Sequence, residues 1–211
     1  MLRKAVKLGI CCLVLLALIL RIDIVNQHAL VLPESISKVG ERVDLDGSFS
    51  GQSIEQTEGL GVVVVRAEMM SKKEYLGRYV DRDESYEEPS GEHWENGKNL
   101  VCVTVRLSNR DNSSGYFALL NWRLISPDGT DAYMMNSDLM MASEPLFKSS
   151  GSAGYAKLNP GRTYELHIPF CRQEKVMLGG LSDYVFKSVP KGRYRLLLTN
   201  YPYRKIVEMY M

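Results

Sequence analysis

Leu100-Val101-Cys102-Val103-Thr104-Val105-Arg106-Leu107-Ser108 puts Val101, Val103, Val105 and Leu107 on one side of an extended chain and Cys102, Thr104 and Arg106 on the other. A period of two is the pattern of a strand with one face in a core. The same pattern recurs on both sides of this stretch. Upstream, Val43 and Leu45 alternate within Glu41 to Asp46 and stop at Gly47, and Val63, Val65, Ala67 and Met69 share one parity after Leu60. Downstream, the inward sets are Ala118, Leu120, Trp122 and Leu124, then Tyr164, Leu166, Ile168 and Phe170, then Tyr194, Leu196 and Leu198. Asn, Asp, Gly and Pro punctuate the gaps, as in Pro127-Asp128-Gly129. Short alternating strands broken by turn residues predict an all-β fold, an antiparallel β-sandwich.

One turn narrows the expectation. Leu158-Asn159-Pro160-Gly161-Arg162-Thr163-Tyr164 has the L-x-P-G-x-x-Y spacing of a tyrosine corner, in which a tyrosine near a strand start bonds back across the preceding turn. A related Pro190-Lys191-Gly192-Arg193-Tyr194 precedes the penultimate strand. These residues resemble fibronectin type III, telokin-like and other immunoglobulin-like modules. The layout is similar to the small membrane-anchored immunoglobulin-like domains of unknown function exported by Gram-positive bacteria. The resemblance covers residues 36–210 in pattern and implies a fold, with Leu158, Pro160, Gly161 and Tyr164 as its structural corner.

The N-terminus carries a different signal. Arg3, Lys4 and Lys7 precede an uncharged run from Leu8 to Leu20 that Arg21 closes. Such a run makes a helix of about 20 Å, the size of an export-signal core and short of the roughly 30 Å of bilayer hydrocarbon. The only small residue between Arg21 and Leu32 is Ala29, with Gln27 two places before it, so no A-x-A cleavage box follows. The expectation is an uncleaved signal anchor at residues 1–25 and a linker at 26–40. A sandwich then fills residues 41–211, with an acidic insertion at 71–99. The basic N-terminal flank places the N-terminus in the cytoplasm and exports the remainder from a single-pass anchor. The formal charge of +1 leaves a net −3 for residues 22–211, because four cations and no acid lie before them. A slightly acidic domain has no electrostatic footprint for nucleic acid, and that partner class is set aside.

The insertion breaks the alternating pattern. Ser71-Lys72-Lys73-Glu74 has capping-box spacing, and Tyr75, Leu76 and Tyr79 recur at helical intervals, which predicts a short helix. Asp81, Asp83, Glu84, Glu87, Glu88, Glu92 and Glu95 then crowd around Arg82, beside Tyr86, His93 and Trp94. Calcium would use such carboxylates, but the glycine turn of an EF-hand is missing. The paired methionines Met69-Met70, Met134-Met135 and Met140-Met141 would suit Cu(I), although adaptable core filling is their ordinary role.

Cysteine and catalytic motifs complete the reading. Cys102 and Cys171 fall on the outward parity of their strands and are the candidate disulfide of an exported domain. His28, His93 and His167 include no H-E-x-x-H, and no C-x-x-C is present. His167 shares the outward parity of Glu165 and reads as a surface imidazole. Ser35-Ile36-Ser37-Lys38 matches S-x-x-K without the companion S-D-N and K-T-G. Asn112-Ser113-Ser114 is a glycosylation sequon. The expected function is a membrane-anchored, non-catalytic binding module for a protein or cell-envelope partner, without a cofactor and with Tyr79, Tyr86, His93 and Trp94 as contact residues. A copper or calcium binder is the alternative, and a hydrolase with an unrecognised site the second.

Overall fold

The structure, a computed structural model, describes residues 14–21, 32–51, 55–80, 93–94, 99–150, 154–178 and 181–211. Two compact units divide at Leu32/Pro33. Of the first, residues 14–21 and Leu32 are described; residues 14–21 form helix α1, whose Val14, Leu15, Leu16, Leu18, Ile19 and Leu20 are exposed. Among the described residues no helix is long and apolar enough to cross a membrane, and most of the expected anchor lies outside them.

The second unit is mostly strand. In chain order it holds β1 (Glu34–Lys38), β2 (Arg42–Asp44), β3 (Leu60–Ser71), helix α2 (Lys72–Tyr79), β4 (His93–Trp94), β5 (Asn99–Asn109) and β6 (Tyr116–Ala118). A 3-10 turn at Leu119–Asn121 leads to β7 (Arg123–Ile125), β8 (Ala132–Met135), α3 (Ser137–Ser143), α4 (Pro145–Ser150) and β9 (Tyr155–Lys157). The chain closes with β10 (Arg162–Leu178), β11 (Leu181–Lys187), β12 (Arg193–Leu197) and β13 (Arg204–Tyr210). β1 falls within the segment read as linker.

Eleven of these strands form one continuous sheet that runs β1-β13-β12-β7-β8-β10-β5-β3-β2, with β11 beside β10 and β4 beside β11. The sheet turns at β8, which pairs with β7 on one side and with Phe170 and Cys171 of β10 on the other. Its two halves bury one core: Val62, Val103, Val105, Leu107, Leu166 and Ile168 come from one, and Leu124, Tyr194, Leu196 and Val207 from the other. Two ladders are parallel, β1 with β13 and β4 with β11, so the all-antiparallel expectation holds only for the rest. The segment Glu34–Asp44 crosses the seam between the halves, lying along β13 as β1 and along β3 as β2.

A β-bulge decides which residues of β3 face inward. The register against β5 shifts between Val64 and Arg66. Leu60, Val62 and Val64 are fully buried before it, whereas Ala67 and Met69 pack on the core after it. One extra residue in a period of two moves every later side chain to the other face.

The outer face of β5 is covered as well. Met70, Tyr75, Leu76, Val80, Leu100, Cys102, Leu139, Cys171 and Phe186 make a second buried cluster. The capping box forms as expected: Ser71 Oγ accepts the Glu74 N–H at 3.1 Å and Glu74 Oε2 accepts the Ser71 N–H at 2.7 Å. This sets α2 against the sheet, with Tyr75 and Leu76 buried. The outward parity of Cys102 and Cys171 therefore does not bring them to solvent; they are 0 % and 2 % exposed. No disulfide joins them. Cys102 lies opposite Pro169 in the ladder, which makes Cys171 its diagonal neighbour. Diagonal Cα atoms stand about 7–8 Å apart, beyond the usual disulfide span. Burial pushes the Cys102 thiol up to about 12, where it is inert.

The corner belongs to the other tyrosine. Tyr194, fully buried at the start of β12, donates its hydroxyl to the Pro190 carbonyl at 2.5 Å, back across Pro190-Lys191-Gly192-Arg193. Tyr164 is only partly buried, and its hydroxyl reaches Glu144 Oε2 at 3.5 Å rather than the turn at Pro160-Gly161. Tyr194→Phe is expected to cost about 1 kcal/mol, because the bond from a buried tyrosine that closes the turn is lost, and Tyr164→Phe about a few tenths. Urea denaturation of the two variants checks the order; equal losses would contradict the assignment.

Candidate binding surface

The residues expected to make contacts separate into two groups. Tyr86 lies outside the described residues, as do the carboxylates from Asp81 to Glu92 and Glu95, and of His93 and Trp94 the backbone is described, as β4 beside Val185 and Phe186 of β11. Tyr79 is half-buried at the end of α2, its ring stacked 4.2 Å from the His167 ring. Arg66 Nη2 donates to the Tyr79 hydroxyl at 3.2 Å and Arg66 Nε to Thr104 Oγ1 at 3.3 Å. Burial raises the pKa of Tyr79.

His167 is correspondingly not a free surface imidazole. Its backbone N–H donates to Glu144 Oε1 at 2.7 Å, and its Nδ1 stands 3.1 Å from the same oxygen. Glu144 follows α3 and is 3 % exposed. β10 meets β8 only at Phe170 and Cys171, so earlier residues of β10 have an open edge there, and the Glu144 carboxylate caps it. Nearby, the Tyr75 hydroxyl donates to the His167 carbonyl at 2.7 Å and meets Ser143 Oγ at 2.7 Å. A carboxylate holding an imidazole is half of a hydrolytic triad. Among the described residues no serine, threonine or cysteine is hydrogen-bonded to the His167 ring. The arrangement satisfies a sheet edge and docks α2.

The S-x-x-K match lies in β1, where residues three apart point to opposite faces, so Ser35 and Lys38 do not converge. The methionine pairs also separate: Met69 packs on the main core and Met70 in the second cluster, while Met134 is exposed and Met135 buried. Met140 and Met141 both pack on the main core.

Aromatic residues that the sequence did not single out gather at one end of the sheet. Leu60, Asn109 and Arg162 lie level there in the ladder, and Leu197 lies level with Arg123. The turns at 45–51, 110–122, 154–161 and 198–203 meet there: Phe49 bridges to Tyr201, and the Leu120 N–H donates to the Gly154 carbonyl at 3.2 Å. Asn109 and Asn112 staple it: Asn109 Nδ2 donates to the carbonyls of Leu158 at 2.6 Å and Asn112 at 2.8 Å. Asn112 Nδ2 donates to the carbonyls of Gln56 at 3.0 Å and Glu58 at 2.7 Å, and its Oδ1 accepts the Gly115 N–H. The sequon asparagine is thus committed to the loop, with both amide hydrogens used.

On this scaffold Tyr116, Leu120, Tyr155, Tyr201 and Tyr203 are 43–53 % exposed. β6 pairs with β9 so that Tyr116 lies opposite Lys157 and Ala118 opposite Tyr155, which puts both tyrosines on one face as diagonal neighbours. Lys157 Nζ lies 5.1 Å from the Tyr116 ring centroid. Leu120, expected inward, is turned out by the 3-10 turn while Leu119 takes the buried place. Tyr201 packs on Phe49 with ring centroids 5.4 Å apart, and Asn200 Nδ2 ties the same turn to the Ser50 carbonyl at 2.7 Å. Tyrosines held on loops of a rigid sheet give large contact area for little ordering cost.

No curated protein and no solved structure matches the chain. The sequence profile of one family, described as a domain of unknown function (DUF5028), matches residues 36–205, from within β1 to within β13, and the chain therefore belongs to that family.

Proposed function

We propose that this protein is an exported binding module, held at the membrane by its N-terminal segment and acting through its loops rather than by catalysis. The observation that carries the reading is the exposed set Tyr116, Leu120, Tyr155, Tyr201 and Tyr203 on turns tied down by Asn109, Asn112 and Asn200. Exposed aromatic residues on preorganised loops are the usual anchors of protein recognition. The basic flank before the apolar run to Leu20 supports the anchor.

An immunoglobulin-like relationship is part of the same proposal. β3-β5-β10 and β7-β12-β13 have the neighbour order of strands A-B-E and C-F-G of that fold, with β8 beyond β7. In this correspondence Tyr194 stands at the start of strand F, where the tyrosine corner of such domains sits.

The test is cross-linked capture from native membranes with the full chain. Tyr155→Ala with Tyr203→Ala should lower capture at least about tenfold, since central aromatic anchors contribute about 2 kcal/mol or more each. The melting temperature should stay within about a degree or two, because both side chains are half exposed. Capture that survives the double substitution would move the contact surface elsewhere.

A further inference from the structure

β3 is longer than the strand that covers it. Its partner on the outer side, β2, pairs only with Gly61 to Val63, and Gly40 adds one further bond to the Val64 carbonyl at 2.8 Å. Among the described residues no strand lies on that side of Val65 to Ser71, although β5 pairs with the opposite side from Arg66 through Ser71. The Ser71 N–H is taken by Glu74, so the free edge runs from Val65 to Met70, about 20 Å at roughly 3.3 Å per residue. It borders a groove of about 560 Å³ at the seam of the sheet, lined by Val39, Val65, Ala67, Met209 and Tyr210. Opposite β3, β1 has ended at Lys38, level with Glu208, so Met209 and Tyr210 continue β13 beyond it. The crossing segment Glu34–Asp44 fills one half of the seam and leaves this half open.

We propose that the open half of the seam takes up an extended peptide of another protein, which adds to β3 as a further strand. Strand addition draws its affinity from main-chain hydrogen bonds along a free edge and its selectivity from alternate side chains. The groove floor is apolar, so one side of the peptide is apolar. Of its charged lining, Arg193 pairs with Glu208 and Arg66 with the neighbouring Glu68, which leaves Lys38 to meet a carboxylate on the other side of the peptide. The outer charges Arg66 and Glu68 pair with each other at 2.9 Å on the solvent side of β3, and they leave Ala67 and Met69 on the core side. The site is separate from the tyrosine loops and uses backbone where they use rings.

The probe is a nine-residue capped peptide alternating valine and glutamate, mixed with the full chain in mild detergent. Three companions accompany it: the same peptide with a central proline, one with lysine for glutamate, and the chain carrying Lys38→Glu with Arg193→Glu, both exposed positions. Expected are saturable binding by anisotropy, and exchange slowed at least tenfold at those amides from Val65 to Met70 that point away from β5. The proline peptide should bind at least tenfold more weakly, because it lacks a donor and cannot extend a ladder. The charge-reversed chain should exchange its preference for the glutamate peptide for the lysine peptide. The proposal is overturned by no binding at millimolar peptide, by equal binding of the proline peptide, or by unchanged exchange at those amides. Binding lost in Tyr155→Ala would assign the peptide to the loops, and protection of the same amides in the chain alone as concentration rises would assign the edge to a second copy; either result overturns it.

Discussion

Replacing Tyr75 with alanine should destabilise the protein by about 3–5 kcal/mol, the range for removing a large buried ring. Tyr75 is fully buried on the outer face of the sheet, and its hydroxyl donates to the His167 carbonyl while meeting Ser143. Burial pushes its pKa well above the ordinary tyrosine value. An eight-residue helix has no stability of its own, and α2 keeps its place through Tyr75, Leu76 and Val80. Losing the ring should undock α2 and open the outer face of β5 to water. Cys102, sealed beneath it, provides a second readout: its thiol should become alkylatable in Tyr75→Ala and stay unreactive in Tyr75→Phe. Wild-type denaturation together with an unreactive Cys102 would show that α2 is held by something other than this ring.

Asn109→Leu is expected to cost about 3 kcal/mol and to take the loop surface with it. The side chain is 2 % exposed and makes three bonds: two donated to the carbonyls of Leu158 and Asn112, and one accepted from the Asn112 N–H at 2.8 Å. A leucine leaves all three backbone groups unpartnered, at about 1–3 kcal/mol for each that water cannot reach. The carbonyl of Leu158 also faces Gly115, where a Cβ would lie 2.1 Å from it, so the loop has little room to relax. Urea denaturation measures the loss, and faster amide exchange at Gly115 and Leu158 locates it. Capture through Tyr116 and Tyr155 should fall in parallel, because β6 and β9 are joined through this turn. A loss below about 1 kcal/mol would mean that the network is replaceable.

Faces turned to the main core were legible in the sequence. Val101, Val103, Val105 and Leu107 were read as one inward face and are all fully buried, and the capping box at Ser71 and Glu74 marked the start of α2. What stayed hidden depends on contacts between distant segments. Alternation does not announce a bulge, so the parity of Val63 and Val65 was carried across a point where the register shifts. Nor does it show that a second layer covers a face, and so Cys102, Cys171 and His167 seemed outward. The corner motif occurs twice, and only the fold distinguishes the tyrosine whose turn bonds back, Tyr194, from the one that leans on Glu144. The exposed tyrosines come from three separate turns, and no local spacing could have assembled them.

The parallel pairing of β1 with β13 bears on how the domain responds to mechanical load. Five residue pairs, from Glu34 with Arg204 to Lys38 with Glu208, stand in register, and the chain enters this ladder at Pro33, whose carbonyl accepts the Arg204 N–H at 2.9 Å. Tension drawn on the N-terminus along the strand axis acts on these pairs in shear, so they share the force and fail together rather than unzipping singly. The first strand is then a clamp between the point of pull and β13, and rupture would begin only when all five pairs slide at once.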